Sequence, residues 1–84
     1  MPVLSRFYGI IIHMYFQQAE HNPPHVHASY GGIAAAIEIK SGNIIEGSLP
    51  AKELALVREW INIYKDDLLN MWQTQEFRKL PPLK

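Results

Sequence analysis

The chain contains no cysteine, so neither a disulfide nor a thiolate metal cage braces its core. It also lacks a surplus of charge. Eight Lys/Arg stand against eight Asp/Glu, for a formal net charge of +0 with neutral histidines. Broad binding along a phosphate backbone draws on excess positive charge, so nucleic acid is possible but not indicated by the charge. No apolar run approaches the ~20 residues that a membrane-spanning helix needs. The start, Met1-Pro2-Val3-Leu4-Ser5-Arg6, has neither the apolar stretch nor the cleavage site of a secretory leader. Together these absences lead to the expectation of a cytoplasmic protein without membrane attachment.

What is present fits one small domain, residues 1–84, in which 48% of residues are apolar. A core of this size is near the lower limit for independent folding. Self-association as a dimer or other homo-oligomer is therefore an expected further source of stability.

Residues 1–8 read as an extended arm, because Pro2 cannot donate a ladder bond. From Gly9 the run Ile10-Ile11-Ile12-His13-Met14-Tyr15-Phe16 is β-branched and aromatic, which predicts a first strand. A polar connection from Gln17 to Pro24 leads to a strand over 25–30, Gly31-Gly32, and a strand over 33–40. Two glycines between strand-like runs predict a hairpin, since its tight turn needs positive φ. A two-residue loop pairs Tyr30 with Ile33, Ala28 with Ala35 and Val26 with Ile37 on one face. The other face then pairs Ser29 with Ala34, His27 with Ala36 and His25 with Glu38. The first set is apolar and the second polar or small, which supports this register.

Ser41-Gly42-Asn43 predicts the next turn. A three-residue loop with Asn43 in the left-handed region sets Ile39 opposite Ile45 and Ala35 opposite Leu49. It is preferred over a two-residue loop, which puts Glu46 opposite Ile37 on the apolar face. The fourth strand then covers 44–49. Pro50 suits the first position of a helix. Beyond it Leu54, Val57, Ile61, Tyr64, Leu68 and Met71 recur three or four apart, the stripe of an amphipathic helix. Neither Gly nor Pro interrupts 51–80, so helix is expected over 50–77, and such a rod of roughly 40 Å outruns strands of roughly 20–25 Å. It either breaks near Lys65-Asp66-Asp67, where Asp66 can cap a second helix, or projects onto another subunit. Residues 78–84 form a basic, Pro-rich tail, expected to be extended. The fold class is thus α+β: a four-stranded antiparallel meander over 9–49, followed by one long or two consecutive C-terminal helices packed on one face.

The other face would carry His13, Tyr15, His25, His27, Ser29, Glu38 and Glu46. His25 and His27, two apart on a strand, project to the same side. Glu38 lies opposite His25, where a carboxylate can fix the imidazole tautomer. His25, His27 and Glu38 are the candidate catalytic set, for general acid–base chemistry at a phosphodiester. His21, His25 and His27, with His13 a further contributor, are the candidate ligands for a divalent metal such as zinc or nickel. A purely structural reading also fits, because a His-x-His pair on a half-exposed strand is common and a Pro-Pro loop can simply fix the entry to the strand. Trp60 and Trp72, at helical spacing, read as core or subunit interface. Ser29 lacks the turn context of an activated nucleophile.

Several blocks together resemble a known family. They are Pro2-Val3-Leu4-Ser5-Arg6-Phe7-Tyr8-Gly9-Ile10, Met14-Tyr15-Phe16, His21-Asn22-Pro23-Pro24-His25-Val26-His27-Ala28, Glu46-Gly47-Ser48-Leu49-Pro50, and Leu68-Leu69 with Trp72. The family is the bacterial domain of unknown function 4160, whose most specific part is the His-x-Pro-Pro-His-x-His block. The resemblance implies a small prokaryotic protein without an established activity, often encoded beside another small protein in what resembles a toxin–antitoxin pair. This chain has Met71 where the family often has Asn, and Tyr64 where a His is frequent. The leading expectation is a component of such a two-gene module, acting through its histidine-rich sheet face on a small protein partner encoded nearby. The alternatives are a phosphodiesterase or ribonuclease using that face, and a metal-binding or structural module without catalysis.

Overall fold

The computed structural model describes residues 3–15 and 23–84. In chain order they form β1 (Val3–Phe7), β2 (Ile10–His13), β3 (His25–Tyr30), β4 (Ile33–Glu38), β5 (Ile44–Gly47), α1 (Ala51–Ile63) and α2 (Lys65–Thr74). The strands make one antiparallel sheet in the order β1-β2-β3-β4-β5. The α+β meander followed by helices is as expected, with five strands in place of four.

The additional strand is β1, where the sequence predicts an extended arm. It turns into β2 through Tyr8-Gly9, with φ of 51° and 79°, and Phe7 pairs with Ile10. Such turns usually show themselves as Asn-Gly or Gly-Gly, and a bulky residue at positive φ is uncommon. The alternation along β1 is also broken by a register shift between Val3 and Ser5, which leaves Leu4 and Ser5 both buried. Neither signal of a strand was therefore readable by pattern.

The β3–β4 hairpin has the expected register at all six pairs, from His25 with Glu38 to Tyr30 with Ile33. Gly31 and Gly32 take φ of 54° and 85°, as a turn with two left-handed residues requires. The β4–β5 connection does not follow the three-residue loop. Ala35 pairs with Gly47, Ala36 with Glu46, and Ile37 with Ile44, with a bulge between Ala36 and Ile37. Gly42, at φ 76°, takes the left-handed position that was assigned to Asn43. The amide of Glu38 donates to Asn43 O and that of Gly42 to Glu38 O, each at 2.8 Å, so the chain closes a wider turn. Gly47 makes the altered register possible: at φ 78° it lies against the Ala34 carbonyl, where a Cβ would overlap.

The helical region breaks. Tyr64 (φ −107°, ψ 22°) separates α1 from α2, one residue before the Lys65-Asp66-Asp67 segment, and no side chain caps either side of the break. Asp66 thus lies in the first turn of α2 and is not its cap. The amide of Tyr64 still bonds Trp60 O at 3.1 Å and Leu68 N–H bonds Tyr64 O at 2.9 Å, so the chain bends at a single residue. Pro50 precedes α1 as its N-cap residue, and α2 ends at Thr74 on Gln75 in the left-handed region, three residues short of Phe77.

The core lies between one sheet face and the helices. Ile10, Ile12, Met14, Val26, Ala28, Ala35 and Ile37 from the sheet side meet Val57, Trp60, Ile61, Leu68 and Met71 from the helices. Phe16, expected on the same face, lies outside the described residues. The tail is extended, and it is packed as well. Leu80 and Leu83 join the core, Leu80 N–H donates to Leu4 O at 2.8 Å, and the Trp60 indole donates to Pro81 O at 2.9 Å. Arg78 pairs with Asp67 at 2.6 Å between exposed side chains. A segment whose composition reads as a solvated basic tail therefore acts as a strap, because its two leucines and one backbone carbonyl have partners inside the fold.

Candidate functional site

The register sets one row of residues across the sheet on the face opposite the core: Val3, His13, His27, Ala36 and Glu46. His13 and His27 are direct cross-strand partners. His25, two residues from His27, sits one step along β3 opposite Glu38. Alternation thus brings three of the chain's histidines onto one side of two adjacent strands. His21 lies outside the described residues, and with it the first ligand of the proposed metal set.

The rings make a continuous series. His13 stacks on Tyr15 with centroids 6.2 Å apart and planes at 12°. Tyr15 meets His27 at 4.1 Å, His27 meets His25 at 5.1 Å, and His25 meets Trp72 at 4.9 Å. The series runs from the middle of the sheet to α2, and Tyr15 touches both His13 and His27. Among the described residues no group of three His, Asp or Glu side chains is placed to hold a metal ion. His25, His27 and His13 share a face without forming a ligand cluster there.

Hydrogen bonding assigns His25 a role other than the one expected. Its Nδ1 lies 2.9 Å from Pro23 O. A carbonyl only accepts, so Nδ1 carries the proton and Nε2 is left as the acceptor. The Pro23 carbonyl, not Glu38, therefore fixes the tautomer. Glu38 accepts instead from the Ser41 hydroxyl in the adjoining turn. Cross-strand pairing placed Glu38 correctly, but the turn hydroxyl claims its carboxylate. The Pro-Pro segment thus supplies the group that orients an imidazole as well as the entry to β3.

His27 is the electrostatically distinct member. Its pKa is lowered from 6.5 to about 4, first by burial, then by the nearby charges that His25 and His13 would carry. It is neutral near pH 7. The Nδ1 of His13 is buried without a hydrogen-bond partner among the described residues.

Two cavities adjoin this face. One of about 240 Å³ lies over Ala34, Ala35 and Ala36, between His27 and Glu46 with Gly47. His27 and Glu46 are two strands apart, roughly 10 Å, and the small side chain of Ala36 leaves the space between them. The other, about 400 Å³, lies between α2 and the sheet and is lined by Pro24, Lys40, Leu69, Trp72 and Gln73. No sequence motif marks this set. Trp60 is fully buried as expected, but Trp72 is half-buried beside His25 and this cavity. Twelve residues along a helix set the two tryptophans about 120° apart around its axis, and the bend at Tyr64 lies between them.

A family model described as "Domain of unknown function (DUF4160)" matches residues 9–73. The chain belongs to this family. The match spans β2 through nearly all of α2, and so includes the three described histidines, Tyr15, Glu38 and Trp72. No curated protein and no solved structure matches the chain. No helix among the described residues is long and apolar enough to cross a membrane.

Proposed function

We propose that this family member is the binding component of a two-gene, toxin–antitoxin-like module in a bacterial cytoplasm, and that its histidine face docks a small protein encoded beside it. The observation that carries this reading is the ring series His13–Tyr15–His27–His25 on the face opposite the core, in which burial keeps His27 neutral. General acid–base catalysis works best when the group's pKa is near the working pH, and a histidine held at about 4 is a weak base and carries no proton to donate at neutral pH. A neutral imidazole next to Tyr15, His13 and His25 is suited to contact: ring faces for packing, and uncharged donors and acceptors that desolvate at modest cost. The aromatic and small residues of the row, Tyr15, His27 and Ala36, make a shallow surface of the kind a macromolecule covers. Co-expression with the product of the adjacent gene tests this. The proposal expects the two to elute as one complex, and His27→Arg or Tyr15→Ala to separate them while the fold is retained. Separate elution of the unaltered proteins would sink it.

A second reading, phosphodiester cleavage of RNA, is favoured by one observation: the Nδ1–H of His25 is bonded to Pro23 O, which leaves Nε2 free to take a proton. On that reading His25 is the working base and His27 a neighbour that keeps the site neutral. RNA cleavage abolished by His25→Ala and retained in His27→Gln would support it; cleavage surviving in His25→Ala would remove it.

A further inference from the structure

We propose that the cavity between α2 and the sheet binds a nucleoside monophosphate, with the base against Trp72 and the phosphate at Lys40. At about 400 Å³ the cavity is within the range that takes one small ligand. Its walls divide by chemistry. Trp72, Pro24 and Leu69 offer a flat aromatic ring and two apolar surfaces, which suits a planar heterocycle that stacks without regard to its identity. The Gln73 amide supplies a donor and an acceptor for the edge of such a ring. Lys40 supplies an ammonium, and among the described residues it has no carboxylate partner.

Positive charge gathers at this end of the sheet although the chain is neutral as a whole. Lys65 Nζ donates to Lys40 O at 3.0 Å, and Arg58 Nε donates to Gly42 O at 2.7 Å. Both bonds bring a cation to the backbone of the β4–β5 turn, next to the cavity but outside its lining. The acids of the adjoining segments are Glu38, whose carboxylate accepts from Ser41, and Asp66 and Asp67 in the first turn of α2, the latter paired with Arg78. A planar apolar wall, an amide and the Lys40 ammonium together match a base joined to a phosphate. An aliphatic acid would leave the indole and amide unused, and an uncharged sugar would leave the ammonium unused. The contact between Trp72 and His25 joins this cavity to the ring series, so an occupant here is sensed at the histidine face. The site itself does not depend on the partner reading, since it belongs to the free protein.

The two tryptophans make the test internal. In a ¹⁵N spectrum the indole N–H of Trp72 reports on the cavity, while that of Trp60, bonded to Pro81 O in the core, serves as the control. Titration with AMP should shift the Trp72 indole and the Lys40 and Gln73 amides and leave the Trp60 indole in place. Adenosine alone and inorganic phosphate alone should each bind about tenfold more weakly or worse, and Lys40→Glu should weaken AMP by about tenfold, the share expected of one charge-assisted contact. Lys40 is exposed, so this variant tests the charge without disturbing the core. A Trp72 indole that stays in place at millimolar AMP overturns the proposal. So does phosphate binding as tightly as AMP, or Lys40→Glu binding AMP as tightly as the parent protein.

Discussion

His13 on β2 and His27 on β3 are direct cross-strand partners, and the ring of Tyr15 lies against both, with centroids 6.2 Å and 4.1 Å away. Two imidazoles facing each other across a ladder cannot both be protonated cheaply. Burial, with these neighbours, holds His27 neutral near pH 7.

That neutrality makes folding depend on pH. The unfolded chain holds a proton on His27 below 6.5, whereas the folded chain takes one only near 4. Between these values the unfolded state binds more protons, so stability is full above 6.5 and falls as the pH drops towards 4. The shift at full weight equals about 3 kcal/mol, and solvent screening at a half-buried ring reduces that to roughly 1–2 kcal/mol. Urea unfolding near pH 4 and near pH 7 measures the difference. His27→Gln should remove most of the His27 contribution; a variant with an unchanged slope would mean that the carboxylates alone produce it.

Gly47 tests the register of β5. Its φ of 78° and its approach to the Ala34 carbonyl leave no room for a side chain. Gly47→Ala should cost about 2 kcal/mol or more, the scale of a non-glycine residue held in the left-handed region with an added overlap. Chemical denaturation reads this directly. A variant as stable as the parent would indicate that Ala35 does not pair at this position.

The strap over 78–84 should contribute through its leucines and little through its charges. Leu80→Ala should destabilise by about 2 kcal/mol, near the low end for a buried leucine because the site is at the rim of the core. Arg78→Ala, which removes an ion pair between exposed side chains, should change stability by under about 1 kcal/mol. The reverse order would make the tail an electrostatic clasp.

The contrast between these elements explains how far the sequence could be read. The β3–β4 hairpin was legible to the residue because Gly31-Gly32 and a clean alternation point to one register. β1 was not, because its turn uses Tyr8 where glycine or asparagine is the usual signal and because the irregularity at Leu4 breaks the alternation. The helix break was visible as an excess of length, while its position at Tyr64 was not, since no cap marks it. At the site, pairing located His25, His27 and Glu38. Which acceptor each would find depended on Pro23 O and Ser41, groups whose position depends on local loop geometry. Lys40 and Trp72 line one cavity although 32 residues separate them in the chain, a long-range relationship that no local pattern records.

The central claim is that the histidine face is the docking surface for the neighbouring gene's product. The most direct measurement is the set of histidine ring resonances of this protein in ¹H–¹³C spectra, recorded with and without that product. The account predicts that the Cε1–H signals of His13, His25 and His27 shift together while the Trp60 indole stays in place. A complex that forms with those three signals unmoved, or no complex at all, would contradict it.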